Sequence, residues 1–250
     1  MAKTSKEILQ KNQIRRNSII EAALSLFSEK GYENVRVDEI AGKAGVNKAL
    51  IYYHFESKEA ILNHLLDEFF AGIKALSLDY ITNSIVKAIR EGELDILPDR
   101  LRFANEEALA GFLEGIQPGV EKMLDYILDN RDTVRLMLAE SLKRNNKKRG
   151  LFRFVELMEQ KESNPLYRTI HDADSDFAYS TDIVVFKFFF STLPMLNFAA
   201  YFDDYMKARP MEEKELRASF IRACLSVSPY PIEGRDLVIA LGWPVSFMKE

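Results

Sequence analysis

Between Val37 and Lys58 the chain reads VDEIAGKAGVNKALIYYHFESK, and this order of small, apolar and cap-forming residues suits one local fold, two short helices crossed at a tight turn. Val37, Ile40, Ala41 and Ala44 stand at i, i+3, i+4 and i+7, which is one face of a helix over 37–44. Gly45 ends it, because glycine enters the left-handed conformation through which a helix C-terminus turns, and Val46 follows as the apolar plug. Asn47 then suits the N-cap of a second helix over Lys48–His54, with Leu50 and Ile51 turned inward and Ala41 small enough for the two axes to approach.

The flanks extend the pattern to four helices. Ile19, Ala22, Ala23, Leu26 and Phe27 keep helical spacing, so a platform helix is expected from about Asn17 to Lys30, closed by Gly31. Downstream, Ser57 can cap a longer helix whose apolar stripe is Ile61, Leu62, Leu65, Leu66, Phe69, Phe70 and Ile73. A helix-turn-helix of this kind places its second helix in the DNA major groove.

An Ile-Ala pair, an Ala-Gly-Val-Asn turn, Ile-Tyr-Tyr-His-Phe and a following Lys58 resemble the DNA-binding domain of the tetracycline-repressor (TetR) family of bacterial transcription regulators, over roughly Asn17 to Ile73. The chain departs from the family pattern in two places. Val35 and Arg36 replace the usual hydroxyl cap before the first motif helix, which leaves amides without a side-chain acceptor at about 0.5–2 kcal/mol and lets Arg36 meet a phosphate. Ala49 stands where many members carry glycine or proline. The expected DNA-contacting set is Arg36, Asn47, Lys48, Ala49, Tyr52, Tyr53, His54 and Lys58, with Lys58 on a phosphate and either Tyr52 or Tyr53 free to pack inward.

The expected fold class is all-α: an N-terminal helix-turn-helix three-helix domain plus a larger helical ligand-binding and dimerisation domain. The expected division is a basic arm over 1–16, the DNA-binding domain over 17–75, the larger domain over 76–228 and a tail over 229–250. About nine or ten helices are expected, with breaks at Gly92–Pro98, Gln117–Gly119, Asn145–Gly150, Ser163–Pro165, Asp172–Asp176 and Ala208–Pro210, and no strand pattern stands out.

Charge is asymmetric within a net of −4. Lys3, Lys6, Lys11, Arg15 and Arg16 face only Glu7 in the first sixteen residues, whereas residues 61–250 hold 24 basic and 30 acidic side chains. The DNA is therefore expected at the N-terminal end. The arm itself keeps two readings, a frayed solvated terminus or a segment that contacts phosphates or the minor groove. The single Cys224 precludes an intrachain disulfide, no secretion signal is visible, and a cytoplasmic location is expected. The longest apolar run, Ile183–Phe202, is interrupted by Lys187, Pro194 and Asn197 and is expected to be a buried helix, with no membrane partner.

The resemblance implies that the larger domain binds an effector and dimerises. Candidate effector-lining residues are Phe69, Ile73, Phe103, Phe112, Met123, Tyr126, Met137 and Phe190, each of which also suits ordinary core. Two long helices, about Phe177–Lys207 and Met211–Val227, are the candidate interface, with Leu216, Phe220, Ala223 and Val227 on one stripe; burial within one subunit is the other reading. Asp172, Asp174 and Asp176 open like a calcium loop, but Phe177 and Ile183 replace its glycine and closing glutamate, so a loop capping the next helix is expected. Lys143, Arg144, Lys147, Lys148 and Arg149 read as an exposed loop, with a second nucleic-acid patch as the other reading, and His64 and His171 lack ligand partners at metal spacing. No catalytic motif, cofactor or metal site is expected.

The reading is a homodimeric, ligand-responsive transcriptional regulator, a repressor released from a palindromic double-stranded DNA operator by a small apolar or aromatic effector. An architectural DNA-binding protein whose larger domain holds a protein partner is the alternative.

Overall fold

The computed structural model describes residues 2–97, 100–143, 150–226, 231–233 and 236–238. The chain divides into two compact units: residues 1–71 with 130–152, and residues 72–129 with 153–250.

In the first unit, α1 (Ala2–Lys30), a 3-10 turn (Tyr32–Asn34), α2 (Val37–Ala44), α3 (Lys48–His54) and the first part of α4 (Lys58–Tyr80) are joined by α7 (Arg131–Ser141). The expected faces form the core: Ile19, Ala23, Phe27, Ile40, Ile51, Ile61, Leu62, Leu66 and Phe69 are all buried. The platform helix starts earlier than the expected Asn17, since α1 is one continuous helix from Ala2. Lys, Gln, Glu and Arg are good helix formers, and nothing between Ala2 and Lys30 breaks the ladder. α4 also outruns its expected end at Ile73 and passes through a π segment (Ile81–Val86) into α5 (Lys87–Arg90).

The second unit continues with β1 (Leu94–Ile96), β2 (Arg100–Phe103), α6 (Glu106–Asp129), α8 (Arg153–Glu156), α9 (Pro165–His171), α10 (Thr181–Phe186), a π segment (Lys187–Thr192), α11 (Leu193–Ala208), α12 (Glu213–Ser226), β3 (Pro231–Glu233) and β4 (Asp236–Val238). The protein is all-α in its main mass, but the expected absence of strands is corrected by a four-stranded antiparallel sheet of order β1-β2-β4-β3. Half of it comes from the hairpin at the Gly92–Pro98 break and half from the 229–250 tail. Leu94 pairs with Phe103, and Leu101 with Leu237. Leu94, Phe103 and Leu237 close an apolar cluster with Ala88 and Leu109.

Across this sheet the Asp236 carboxylate meets Arg102 at 3.2 Å and Arg100 at 3.4 Å. Arg102, and then Arg100, hold Asp236 below its ordinary value of 3.8. A carboxylate depressed in the fold stabilises it above the unfolded value and loses that contribution as pH falls through the folded one. The tail strand is therefore expected to loosen only below about pH 4, read as protease cleavage near 227–235, and Asp236→Asn should remove the acid dependence.

The other expected breaks have different outcomes. The break at Gln117–Gly119 is corrected: α6 runs through Pro118, because burial of Leu109 on one side and Leu124, Ile127 and Leu128 on the other outweighs the roughly 3 kcal/mol that an interior proline costs. At Ser163–Pro165, buried Asn164 caps α9 by accepting from Leu166 N at 3.1 Å, while its amide donates to the Leu157 and Glu159 carbonyls at 2.9 Å each. The loop 172–176 does not cap the next helix. Phe177 turns into the core beside Ile81, Val86, Leu166 and Ile170, and Ser180 caps α10 by accepting from Ile183 N at 3.2 Å.

The buried-helix expectation for Ile183–Phe202 is also corrected. The stretch Thr181–Ala208 is long and apolar enough to cross a membrane, yet only 28% of its most apolar window is buried. Phe188, Met195, Leu196, Ala199, Ala200 and Phe202 pack inward, whereas Val185, Phe189, Phe190, Tyr201 and Tyr205 point out.

Within the second unit α4 and α6 meet through two reciprocal notches. Gly72 of α4 lies under the Tyr126 hydroxyl of α6, with no room for a Cβ. Gly119 of α6 faces Tyr80 of α4, whose ring would stand 2.8 Å from an added Cβ.

Candidate nucleic-acid interface

The turn between α2 and α3 is built as its residues require. Gly45 takes φ +66°, Val46 N donates to the Ala41 carbonyl at 3.0 Å, and Gly45 N reaches the Gly42 carbonyl at 3.3 Å, so the last carbonyls of α2 are satisfied. Asn47 caps α3, its Oδ1 accepting from Leu50 N at 2.8 Å. Buried Ile51 anchors the inner face, and buried Phe55 ends the helix in extended backbone. Ser57 Oγ then accepts from Ala60 N at 3.0 Å and starts α4.

This anchoring leaves one face of α3 to solvent. Asn47, Lys48 and Ala49 are exposed, and Tyr52 and Tyr53 keep 49% and 71% of their surface, so neither tyrosine packs inward. His54 is half-buried with an unpartnered Nε2, and its ring meets Tyr53 edge-on at 4.9 Å. Burial, followed by the charges of Arg16 and Arg15, holds His54 below its usual range. Lys48 pairs with Asp38 of α2 at 3.0 Å, which raises its ammonium. Both partners are exposed, so the pair is weak and yields readily to a phosphate.

Arg36 does not leave α2 without a cap. Glu39 accepts from Arg36 N at 2.8 Å and binds Lys30 at 2.6 Å, supplying the returning half of a capping box that the missing hydroxyl would have begun. The Arg36 side chain is exposed. Lys58 is held by the fold itself. Its ammonium donates to the carbonyls of Tyr32 at 2.8 Å, Val35 at 2.9 Å and Glu33 at 3.4 Å, and lies 4.3 Å from the centre of the Tyr32 ring. An ammonium has three N–H donors, and here three carbonyls of the 3-10 turn stand around it.

A residue outside the expected set, Arg16, packs its guanidinium 5.1 Å over the Phe55 ring, with Nη2 3.3 Å from His64 Nδ1. The Arg-Arg pair ahead of the platform helix was its only sequence signal.

The effector-lining candidates are divided between the two units. Phe69 and Met137 are buried in the first unit. In the second, Phe103 and Phe112 meet at 5.1 Å in the sheet cluster, Tyr126 fills the Gly72 notch, Ile73 is buried, Met123 is half-buried and Phe190 is exposed and stacked on Phe186. Of the interface candidates, Leu216 is buried, Phe220 stacks on Phe198 at 3.9 Å, Ala223 is exposed, and Val227 lies outside the described residues, as do Arg144, Lys147, Lys148 and Arg149. Among the described residues no three His, Cys, Asp or Glu side chains are grouped to hold a metal.

Residues 19–65 match the sequence model of bacterial regulatory proteins of the tetR family. The chain is 33% identical over 99 residues to the probable HTH-type transcriptional regulator YttP of Bacillus subtilis (strain 168), covering 39% of this chain and 48% of that protein. It is 47% identical over 51 residues to the A-factor receptor protein of Streptomyces griseus, covering 20% and 18%. It is 48% identical over 46 residues to the biofilm operon icaADBC HTH-type negative transcriptional regulator IcaR of Staphylococcus aureus (strain Newman), covering 18% and 25%. The chain thus spans at most about half the length of these curated relatives.

Proposed function

We propose, for a chain whose N-terminal domain belongs to the tetR family of bacterial regulatory proteins, a dimeric repressor that reads a palindromic double-stranded operator through α3 and releases it when a small apolar or aromatic molecule binds the second unit. The observation that carries this reading is the outward face of α3, where Lys48, Ala49, Tyr52 and Tyr53 stand clear of the core on a helix pinned by Asn47, Ile51 and Phe55. A helix so held can enter a major groove, with tyrosine and lysine reaching base edges and phosphates. Two half-sites one turn apart need two copies of α3 about 34 Å apart. The outward Val185, Phe189, Phe190, Tyr201 and Tyr205, with exposed Ala223 on α12, supply an apolar surface that a second copy would cover. Relatives bearing the words negative regulator and receptor support repression and effector control.

The test is to recover bound sites by genome-wide occupancy mapping, then titrate one with purified protein in the presence and absence of a panel of apolar and aromatic small molecules. An effector that weakens operator binding tenfold supplies about 1.4 kcal/mol of coupling, and operator DNA must weaken effector binding by the same factor. Tyr53→Ala should lose sequence preference while the thermal midpoint stays put. Specific binding that no molecule alters would replace effector control with the architectural reading, and an unaltered site preference in Tyr53→Ala would remove α3 from the readout.

A further inference from the structure

Many of the described cations of the first unit are engaged within it, though Arg36 of α2 stands exposed. Lys30 holds Glu39, Lys43 holds Glu29 and Ser25, Lys48 holds Asp38, Lys58 holds three carbonyls, Lys143 holds Glu140, and Arg16 sits on Phe55 and His64. Lys11 and Arg15 are different. Both are exposed, and neither has an ion pair or hydrogen bond among the described residues, although Glu7 stands one turn before Lys11. Because α1 is helical from Ala2 onward, these two side chains stand at i and i+4 on one face. Their position is fixed by the neighbouring residue: Arg16 is docked on Phe55, the residue that ends α3, so this turn of α1 lies beside the C-terminal end of the helix proposed to read bases.

We propose that Lys11 and Arg15 form a phosphate-contacting ridge, so that the N-terminal half of α1 is a rigid second limb gripping the DNA backbone beside α3. The inference rests on the DNA-binding reading given above. Two unpaired cations one helical turn apart lie about 6 Å apart along the axis, close to the roughly 7 Å between neighbouring phosphates of one strand. They carry no base information, since a phosphate is the same at every sequence, and they add affinity by releasing counterions. His54, held below its usual range first by burial and then by the charges of Arg16 and Arg15, is consistent with a positive field at this end of α3.

The same half of α1 exposes Ile8, Leu9 and Ile14, which would suit a protein partner instead. The experiment separates these occupants. A labelled mixed-sequence duplex is titrated across a salt series with the full chain, with Lys11→Ala/Arg15→Ala, and with the charge-keeping Lys11→Arg/Arg15→Lys. The expected result is a plot of log affinity against log salt whose slope falls by about 1.8 per subunit in the alanine pair, at roughly 0.9 per phosphate, and keeps its wild-type value in the charge-keeping pair. Thermal midpoints and sequence preference should match wild type. A wild-type slope in the alanine pair overturns the ridge while leaving α3 in place, and a change in sedimenting mass with an unchanged slope assigns the surface to a protein partner. If the unaltered chain binds no duplex at low salt, the DNA reading itself fails.

Discussion

Phe103→Ala is expected to destabilise the second unit by about 3–5 kcal/mol. Phe103 is 1% exposed and sits where three elements converge: it pairs across the hairpin with Leu94, meets Phe112 at 5.1 Å, and shares a cluster with Leu109 and with Leu237 of the tail. Removing the ring takes apolar surface from all of them and leaves a cavity that three- and four-residue strands have little means to close. The tail strand β4, held to β2 by three register pairs, should then be shed first. Calorimetry should show the loss, and limited proteolysis should cut between Ser226 and Leu237 well below the main transition. A wild-type midpoint and a protected tail would show that the sheet is not a structural part of the unit.

Lys58→Met is expected to cost about 2 kcal/mol, within the range for hydrogen bonds to a charged group, and to leave DNA binding with its wild-type salt slope. Methionine keeps the stem but takes the Lys58 donor from the carbonyls of Glu33 and Val35, leaves that of Tyr32 with its bond from Val35 N, and removes the cation from the Tyr32 ring. In a chain of 250 residues each kcal/mol moves the midpoint by roughly 2–4 °C, so calorimetry can read the change directly. A phosphate ligand behaves oppositely, with an unchanged midpoint and a slope smaller by about one unit, and that pair of results would move Lys58 into the interface.

The helix-turn-helix was legible because everything that makes it is local. Three-and-four spacing sets the faces, Gly45 must turn left-handed, and Asn47 caps three residues onward. The sheet was not, because its strands are three or four residues long and its central pairing joins Arg100 to Val238, across more than half the chain. A hairpin that short shows no alternation until its distant partner is known. Lys58 reads as a phosphate ligand because it opens a helix; the carbonyls of the 3-10 turn that surround its ammonium are distant in sequence and give no local signal. Pro118 was read as a break because propensity is local, whereas the burial that carries α6 past it is tertiary. Apart from Ile73, the candidate effector residues are aromatic or methionine at helical spacing, a pattern that core and pocket share.

The two tyrosine-glycine notches between α4 and α6 act as gear teeth cut in opposite directions. Tyr126 enters α4 at Gly72 and Tyr80 enters α6 at Gly119, eight residues apart on one shaft and seven on the other, about 12 and 10.5 Å. The near-equal spacing lets both teeth seat together in an antiparallel mesh. Slipping one turn in one direction would press Tyr80 onto Met123 and Tyr126 onto Leu76; slipping the other way frees Tyr80 into Gly115 but drives Tyr126 onto Glu68. Axial slip between these shafts is therefore barred both ways, and rocking about the teeth is the movement that their mesh leaves open.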